Sequence, residues 1–436
     1  MDKVKIGLLG CGTVGTGVIQ VLAKNKDLIS AKTGTHLEVT KVLVRDLQKD
    51  RGINDQNITF TSNVNDILGD PEIKIVIEVM GGISPAKEYI LQALSLGKNV
   101  VTANKDLMAL HGKDLFEAAS QGHVDLRFEA SVGGGIPIIG PLKSSLAGNK
   151  IWRIMGIING TTNYILSKME KEKLEFNQIL AEAQRLGYAE SDPSADIEGL
   201  DAARKIAILA SIAFNSRVTF SNVYVEGITK ITSRDIIYAN ELGYTIKLLG
   251  LAQEENGTIE VRVHPAFIPL NHPLAKVDDV NNAIYVQGDA VGNAMFYGRG
   301  AGKLPTASAI VGDIIEIVRN IFQKVYDEAY CTCFEQKSIK PVRDIETKYY
   351  LRLTVIDRPG VLAGIASVFG QQEVSIASVV QKRKDKDVAE LVLITHQVKE
   401  ANLQDALNII NNLPSIIQIN NVIRVEELDN QGKEAE

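Results

Sequence analysis

The chain has 436 residues, 45% hydrophobic and 23% charged, with a formal charge of -6. That length suits two or three domains, and the acidic balance offers no basic field for nucleic acid or an anionic membrane, so small-molecule chemistry is favoured. No apolar run approaches the roughly 20 residues a membrane helix needs, and MDKVKIGLLG enters a strand pattern without a signal peptide, so a cytoplasmic location is expected. Cys11, Cys331 and Cys333 are an odd, sparse set without a histidine cluster, which indicates neither a disulfide scaffold nor a zinc site and leaves buried or idle thiols.

From Val4 the order is a short apolar strand, then Gly10-x-Gly12-x-x-Gly15, then an amphipathic helix, the context a dinucleotide fingerprint requires. Gly10 allows the tight turn, Gly12 lets backbone approach a pyrophosphate, and Gly15 permits close helix packing. Thr13 and Val14 complete this set of expected cofactor contacts, at a helix N-terminus that favours an anion. The second strand, LEVTKVLVRD, ends on Arg45 and Asp46. An acidic residue there would accept from the ribose of NAD, whereas a guanidinium pairs with a 2′-phosphate, so NADP is favoured and NAD stays open.

The alternation continues through IKIVIEVMGG (strand), PAKEYILQALSLGK (helix), NVVTANK (strand), DLFEAASQGH (helix) and VDLRFEA (strand), a doubly wound α/β pattern. Lys105 lies just past a strand's C-terminal end, the edge that lines the ligand crevice in open α/β sheets; the bland alternative is a solvated loop lysine. SVGGGIPIIGPLKSSLAG then reads as a glycine-rich turn and a helix. WRIMGIINGTTNYIL, VTFSNVYVEGI, YTIKLLGLAQ, TIEVRVHPAFI and NAIYVQG read as strands of a sheet whose other face can bury against a second subunit. Another glycine loop, Gly298 to Gly302, precedes a helix.

In AESDPSADIEGLDAARK, Glu190, Asp192, Asp196, Glu198 and Asp201 precede Lys205. Pro193 and Gly199 break a helix there, and IAILASIAF after the lysine reads as a buried one. On spacing alone, Asp201 and Lys205 make an ordinary ion pair on one helix face.

GLLGCGTVG, VVTANK, EASVGGGIPII, GIINGTTNYIL, LGYAESDPSADIEGLDAARK and GRGAGKLPTASAIVGD, in that order and up to about residue 330, resemble the homoserine dehydrogenases. The resemblance implies reversible reduction of L-aspartate 4-semialdehyde to L-homoserine with a nicotinamide cofactor. It makes Lys205 the proton donor, with Asp201 positioning it, and Lys105 a second lysine near nicotinamide and substrate. It also makes Glu190 the holder of the substrate's amino group, places Asp196 in the substrate pocket and makes Gly302 a cofactor-contacting glycine. EASVGGGIP is similar to the family's monovalent-cation site, so Glu129 and the carbonyls of Val132, Gly134 and Ile136 are expected to hold sodium. Asp192, Glu198 and Arg204 are left as solvated polar residues.

From about Thr347, strand, helix, strand, charged turn, strand, helix and strand follow in ferredoxin-like order. This unit resembles an ACT domain, with Pro359 and Gly360 in a turn that could receive an effector's carboxylate at a helix N-terminus. The resemblance implies feedback by a pathway end product, L-threonine foremost; the alternative is a domain used only for oligomer contacts. NQGKEAE at the end is expected to stay unstructured.

The expected architecture is therefore α/β: a Rossmann-type dinucleotide-binding domain over 1–130, with 305–335 returning to it, an α+β catalytic and dimerisation domain over 131–304, and a C-terminal ferredoxin-like ACT domain over 346–428. A homodimer or homotetramer is expected, with a small-molecule substrate and an amino-acid effector but no nucleic-acid or membrane partner. A non-catalytic sensor that binds nucleotide and amino acid is the alternative of a different class. A phosphorylating aldehyde dehydrogenase is disfavoured because no cysteine is placed as a nucleophile.

Overall fold

In the computed structural model, which describes residues 3–325, 331–385 and 387–427, the N-terminal part alternates strand and helix. Its elements are β1 (Lys3–Leu9), α1 (Thr13–Lys24), α2 (Lys26–Thr33), β2 (His36–Leu43), β3 (Thr59–Thr61), α3 (Asn65–Leu68), β4 (Ile73–Glu78), α4 (Ala86–Ser95), β5 (Asn99–Thr102), α5 (Lys105–Gly122) and β6 (Leu126–Arg127). The strands are all parallel in the order β3-β2-β1-β4-β5-β6. Strand order reverses between β1 and β4, so the crevice at their C-terminal ends is where a doubly wound sheet binds its ligand. Ile6, Leu8, Ile75, Ile77 and Val101 are fully buried, as strands covered on both faces require.

The middle of the chain supplies α6 (Ile139–Lys143), β7 (Ile151–Ile157), α7 (Gly160–Glu172), α8 (Phe176–Arg185), α9 (Ser194–Ile197), α10 (Leu200–Ala213), β8 (Tyr224–Val225), α11 (Ser233–Glu241), β9 (Tyr244–Glu255), β10 (Thr258–Pro269), β11 (Asn281–Gly288), β12 (Gly292–Arg299) and α12 (Lys303–Gln323). α12 packs back on the first sheet, where Ala307, Ile310 and Ile314 share a core with Ile6, Val18 and Ile75. WRIMGIINGTTNYIL is not one strand. β7 stops at Ile157 and α7 starts at Gly160, because the Asn159 side chain accepts the Thr162 N–H at 2.9 Å and caps the helix. VTFSNVYVEGI forms a 3-10 turn and only the two residues of β8. Helix α11, absent from the sequence reading, is started by a reciprocal cap between Thr232 and Asp235.

The C-terminal part holds β13 (Ser338–Ile339), β14 (Glu346–Ile356), α13 (Val361–Gln371), β15 (Ile376–Asp385), β16 (Val388–Thr395), β17 (Val398–Lys399), α14 (Glu400–Ile410) and β18 (Ile416–Val425). Strands β18-β14-β16-β15 are antiparallel neighbours in ferredoxin-like order, and their core of Tyr349, Leu351 and Leu353 is covered by Ile365, Phe369 and Leu403 of the two helices. The tail NQGKEAE lies outside the described residues.

These last strands continue the middle sheet, along β12-β11-β7-β9-β10-β18-β14-β16-β15. The join is parallel pairing of β10 with β18, Ala266 to Arg424 and Phe267 to Val425. Charge is buried along this seam. Glu426 takes Arg153 at 2.9 Å and Arg262 at 2.7 Å, and Arg262 Nε donates to His264 at 2.9 Å. Nearby, Arg352 bridges Asp235 of α11 at 2.7 Å and Glu390 of β16 at 3.1 Å.

Candidate active site

The glycine turn follows β1 directly. Gly10 has φ +98°, and a Cβ there would meet the Val79 carbonyl at 2.9 Å; a Cβ on Gly15 would lie 2.4 Å from the Gly10 carbonyl. Gly12 has open space on its Cβ side. It is followed by Thr13 and Val14 in the first turn of α1, where N–H groups lack intrahelical acceptors. The turn therefore presents backbone donors and an empty flank, which fits a bound pyrophosphate. The Gly10 N–H donates to Leu43 at the end of β2 at 3.0 Å, so Arg45, two residues further and exposed, lies beside the turn. Asp46 is committed locally, its carboxylate accepting the Gln48 N–H at 2.9 Å.

Strands β4 and β5 end on the same edge. Buried Glu78 accepts from Thr102 Oγ1 at 2.6 Å and from the Met80 N–H at 2.8 Å. Asn104 caps α5 and donates from its side chain to the Gly82 carbonyl at 2.6 Å. These bonds fix the start of α5, so Lys105 is its first residue and not a solvated loop lysine.

Opposite this edge stands α10, entered through Gly199 at φ +81°. Its residues from Ala202 to Ala210 are buried except Arg204. Asp201 and Lys205 stand one turn apart in its buried first half, with side chains 5% and 10% exposed. Lys205 Nζ donates to Asp201 Oδ2 at 2.7 Å and to the Ile158 carbonyl at 2.8 Å. Lys105 pairs with the other oxygen, Oδ1, from the far side of the cleft. Burial works against an ionised Asp201, but the charges of Lys205 and Lys105 outweigh it and hold the carboxyl well below the usual range. Burial likewise works against the Lys105 charge, yet Asp201 leaves that ammonium raised above its ordinary value. The ion pair seen in the sequence is thus a buried carboxylate shared by two lysines from two domains.

Asn159, which the sequence reading did not single out, donates to Asp201 at 2.9 Å and to Asp196 at 2.7 Å. Its signal was only that of a helix cap. Arg204, expected to be solvated, pairs with Asp106 of α5 at 2.6 Å and lies over the Phe220 ring, which ties α10 to α5 beside the two lysines. Glu190 is brought no closer than the loop before α9, where its carboxylate is exposed and its carbonyl accepts from Gln184. Gly302 has φ +125° and opens α12, whose next residue meets α1 at Gly17; the second glycine loop therefore reaches the nucleotide turn's helix.

Glu129, half-buried, sits at the start of α6, accepting the N–H groups of Ile138 at 2.6 Å, Ile139 at 2.9 Å and Gly140 at 2.6 Å. Burial, with the Glu129 charge beside it, pushes the Asp313 carboxyl up to about 8. Gly134, at φ +57°, would drive a Cβ into the Gly300 carbonyl, and Val132 and Ile136 are buried around it. Cys331 is a free, half-buried thiol. A hydrogen bond from Cys333, and the Arg217 guanidinium 3.0 Å away, hold it below the ordinary thiol range.

A family model described as "Homoserine dehydrogenase, NAD binding domain" matches residues 10–129, one described as "Homoserine dehydrogenase" matches 137–315, and one described as "ACT domain" matches 349–415. The homoserine dehydrogenase of Bacillus subtilis (strain 168) is 43% identical over 428 residues, 98% of this chain and 99% of that protein. A solved homoserine dehydrogenase from Thiobacillus denitrificans is 43% identical, with a TM-score of 0.94 over 98% of this chain and 99% of its own. A hyperthermophilic archaeal homoserine dehydrogenase mutant in complex with NADPH is 27% identical, with a TM-score of 0.62 over 72% of this chain and 98% of its own.

Proposed function

The chain belongs to the homoserine dehydrogenase family, and from that premise we propose that it interconverts L-aspartate 4-semialdehyde and L-homoserine with NADP in preference to NAD. The observation that carries this is Asp201 shared between Lys105 and Lys205 at the edge of the nucleotide turn's sheet. When bound, the nicotinamide supplies or accepts the hydride at the reacting carbon.

The rest of the chemistry falls to the chain. An ammonium has three donors. Two on Lys205 are spent on Asp201 and Ile158, so the third gives its proton to the carbonyl oxygen on reduction and recovers it from the hydroxyl on oxidation. The same charge stabilises the developing alkoxide. Asp201 holds the Lys205 ammonium in place, Asn159 fixes Asp201, and Lys105 closes the nucleotide side. Asp196 and Glu190 suit the substrate's ammonium group.

Arg45 supports the NADP preference, being exposed beside the turn while Asp46 is occupied by Gln48. A monovalent cation, sodium, fits Glu129 with the carbonyls of Val132, Gly134 and Ile136, since Glu129 Oε2 accepts one N–H and keeps a lone pair. Replacing sodium by tetramethylammonium should then slow turnover, and an unchanged rate rejects the cation. The exposed β12, with Tyr297 55% and Met295 41% exposed, suits a second copy of the chain. Among the described residues no helix is long and apolar enough to cross a membrane. The ACT domain is taken as the receiver of an amino-acid effector, L-threonine first, serving threonine and methionine biosynthesis.

The deciding experiment is the initial rate of nicotinamide reduction with L-homoserine, run in parallel with NADP and NAD. A clear rate, faster with NADP, is expected. No rate with either coenzyme, in folded protein, rejects the enzyme in favour of a sensor.

A further inference from the structure

Cys331 and Cys333 come after α12 and pack between α5 and α10, the helices that carry Lys105 and Lys205. With Met108 of α5 and Ile208 and Ser211 of α10 they line a cavity of about 30 Å³. The Arg217 guanidinium reaches Cys331 Sγ at 3.0 Å and also lies against α5, where a Cβ on Gly112 would meet it at 3.3 Å. Lys143, on the same cavity, stands over the rings of Phe116 and Phe128 at 5.0 and 5.1 Å. Among the described residues, two cations and no carboxylate line this space, which favours a thiolate at Cys331.

Cys333 supplies the partner. Its thiol hydrogen-bonds to Cys331, its sulfur lies 3.8 Å from the Ser211 carbonyl, and the chain bends at Thr332 between the two cysteines. The sulfurs are thus already neighbours. The Glu335 N–H donates to the Asn215 carbonyl at 2.8 Å and the Lys337 N–H to Ser216 Oγ at 3.0 Å, so the pair is held on the loop that leaves α10.

We propose that Cys331 and Cys333 form a redox site, at which a small hydroperoxide oxidises the pair to an intramolecular disulfide. The Cys331 thiolate attacks one oxygen of hydrogen peroxide, forming an S–O bond and breaking O–O, and the hydroxide released takes the Cys333 proton to become water. The Cys333 thiolate then attacks the sulfenic sulfur, forming S–S and expelling the second oxygen as hydroxide. The two sulfurs give up two electrons and the peroxide accepts them. A cavity this small holds one or two water-sized molecules, which suits hydrogen peroxide and not a bulky disulfide. Cys11 is a poorer target, because burial pushes its thiol up. The disulfide is uncharged, so Arg217 loses its anion and the Ser211 carbonyl its thiol neighbour. Both changes fall on the contact between α5 and α10, and turnover drops.

The test treats the reduced full-length chain with hydrogen peroxide near neutral pH, maps the cysteines by alkylation and mass spectrometry, and follows homoserine turnover before and after dithiothreitol. The mapping does not depend on the reaction catalysed, so failure of this site and failure of the enzyme reading stay distinct. Expected is a Cys331–Cys333 disulfide, with turnover about fivefold lower and recovered on reduction. Cys333→Ser should instead leave a sulfenic acid at Cys331 that dimedone traps, and both it and Cys331→Ser should keep their untreated turnover. Arg217→Met should slow alkylation of Cys331 about tenfold at about pH 6.5 and little at about pH 9.5, where ordinary thiols ionise too; equal slowing at both would remove the guanidinium's part. Peroxide that leaves both thiols free, or inactivates both serine variants as fast as the parent, overturns the site. A disulfide with unchanged turnover overturns its reach to the two lysines.

Discussion

Asp201 and Glu426 are buried carboxylates each shared between two cations, and they differ in what surrounds them. Asp201 holds Lys105 and Lys205, with side chains 35% and 10% exposed. Glu426 holds Arg153 and Arg262, at 5% and 3%. Both acids are held low; for Glu426 burial is outweighed by Arg262 and Arg153, which bring it to about 2. The cations make the difference. A lysine ammonium can part with a proton, and here it keeps a donor to spare, whereas a guanidinium stays charged in proteins. The cleft cluster can exchange protons with a substrate. The seam cluster can only hold the two halves of one sheet in register.

The sharpest way to break this contrast is Lys205→Ala, which should lower kcat by about 10³-fold or more while leaving NADPH binding intact. Lys205→Arg should fare little better, because charge alone is not proton transfer. Near-normal turnover in the alanine variant would make the cleft cluster as structural as the seam. Glu426→Ala should do the reverse. It leaves two guanidinium groups buried without their carboxylate, at a cost of about 3–5 kcal/mol in urea unfolding, with kcat per folded molecule unchanged.

A milder probe is pH. Burial, and then the Arg424 and Arg262 charges, push His264 down to about 3. Its folded value lies below the unfolded one of about 6.5, so the unfolded chain takes up the extra proton and stability falls as pH drops from about 6.5 towards 3. The slope is about 1.4 kcal/mol per pH unit for one such group. In His264→Gln the melting temperature should lose part of this dependence between pH 6.5 and 5; an unchanged slope would show that His264 is not held neutral. The smallest effect expected is at Arg45→Ala, an about tenfold rise in KM for NADPH with little change for NADH. Equal changes would remove the 2′-phosphate partner.

What could be read in advance follows from sequence separation. The nucleotide turn was legible because strand, glycines and helix are contiguous. The helix after Lys205 was legible from its unbroken apolar run. The bridge from Lys105 to Asp201 spans 96 residues, and no periodicity announces it. Asn159 was hidden by having two uses, since its cap is local but its bonds to Asp196 and Asp201 exist only after β7 and α10 meet. Helix α7 was taken for strand because GIINGTTNYIL is rich in β-branched residues, and only the cap at Asn159 decides for helix. Arg424 and Glu400 were not singled out, since nothing local says that β18 will be buried against β10.

The long strand β10 has β9 on one side. Its other edge is patched by three short parallel pieces, β13 at Thr258 and Ile259, β8 at Arg262 and Val263, and β18 at Ala266 and Phe267. A protein cut before β14 would keep both lysines, Asp201 and the glycine turn, yet bare the last of these stretches and strand two arginines without Glu426. An open edge of that kind invites pairing with another chain. Self-association and poor solubility, ahead of any change in turnover, would then be the first penalty of trimming the C-terminal domain.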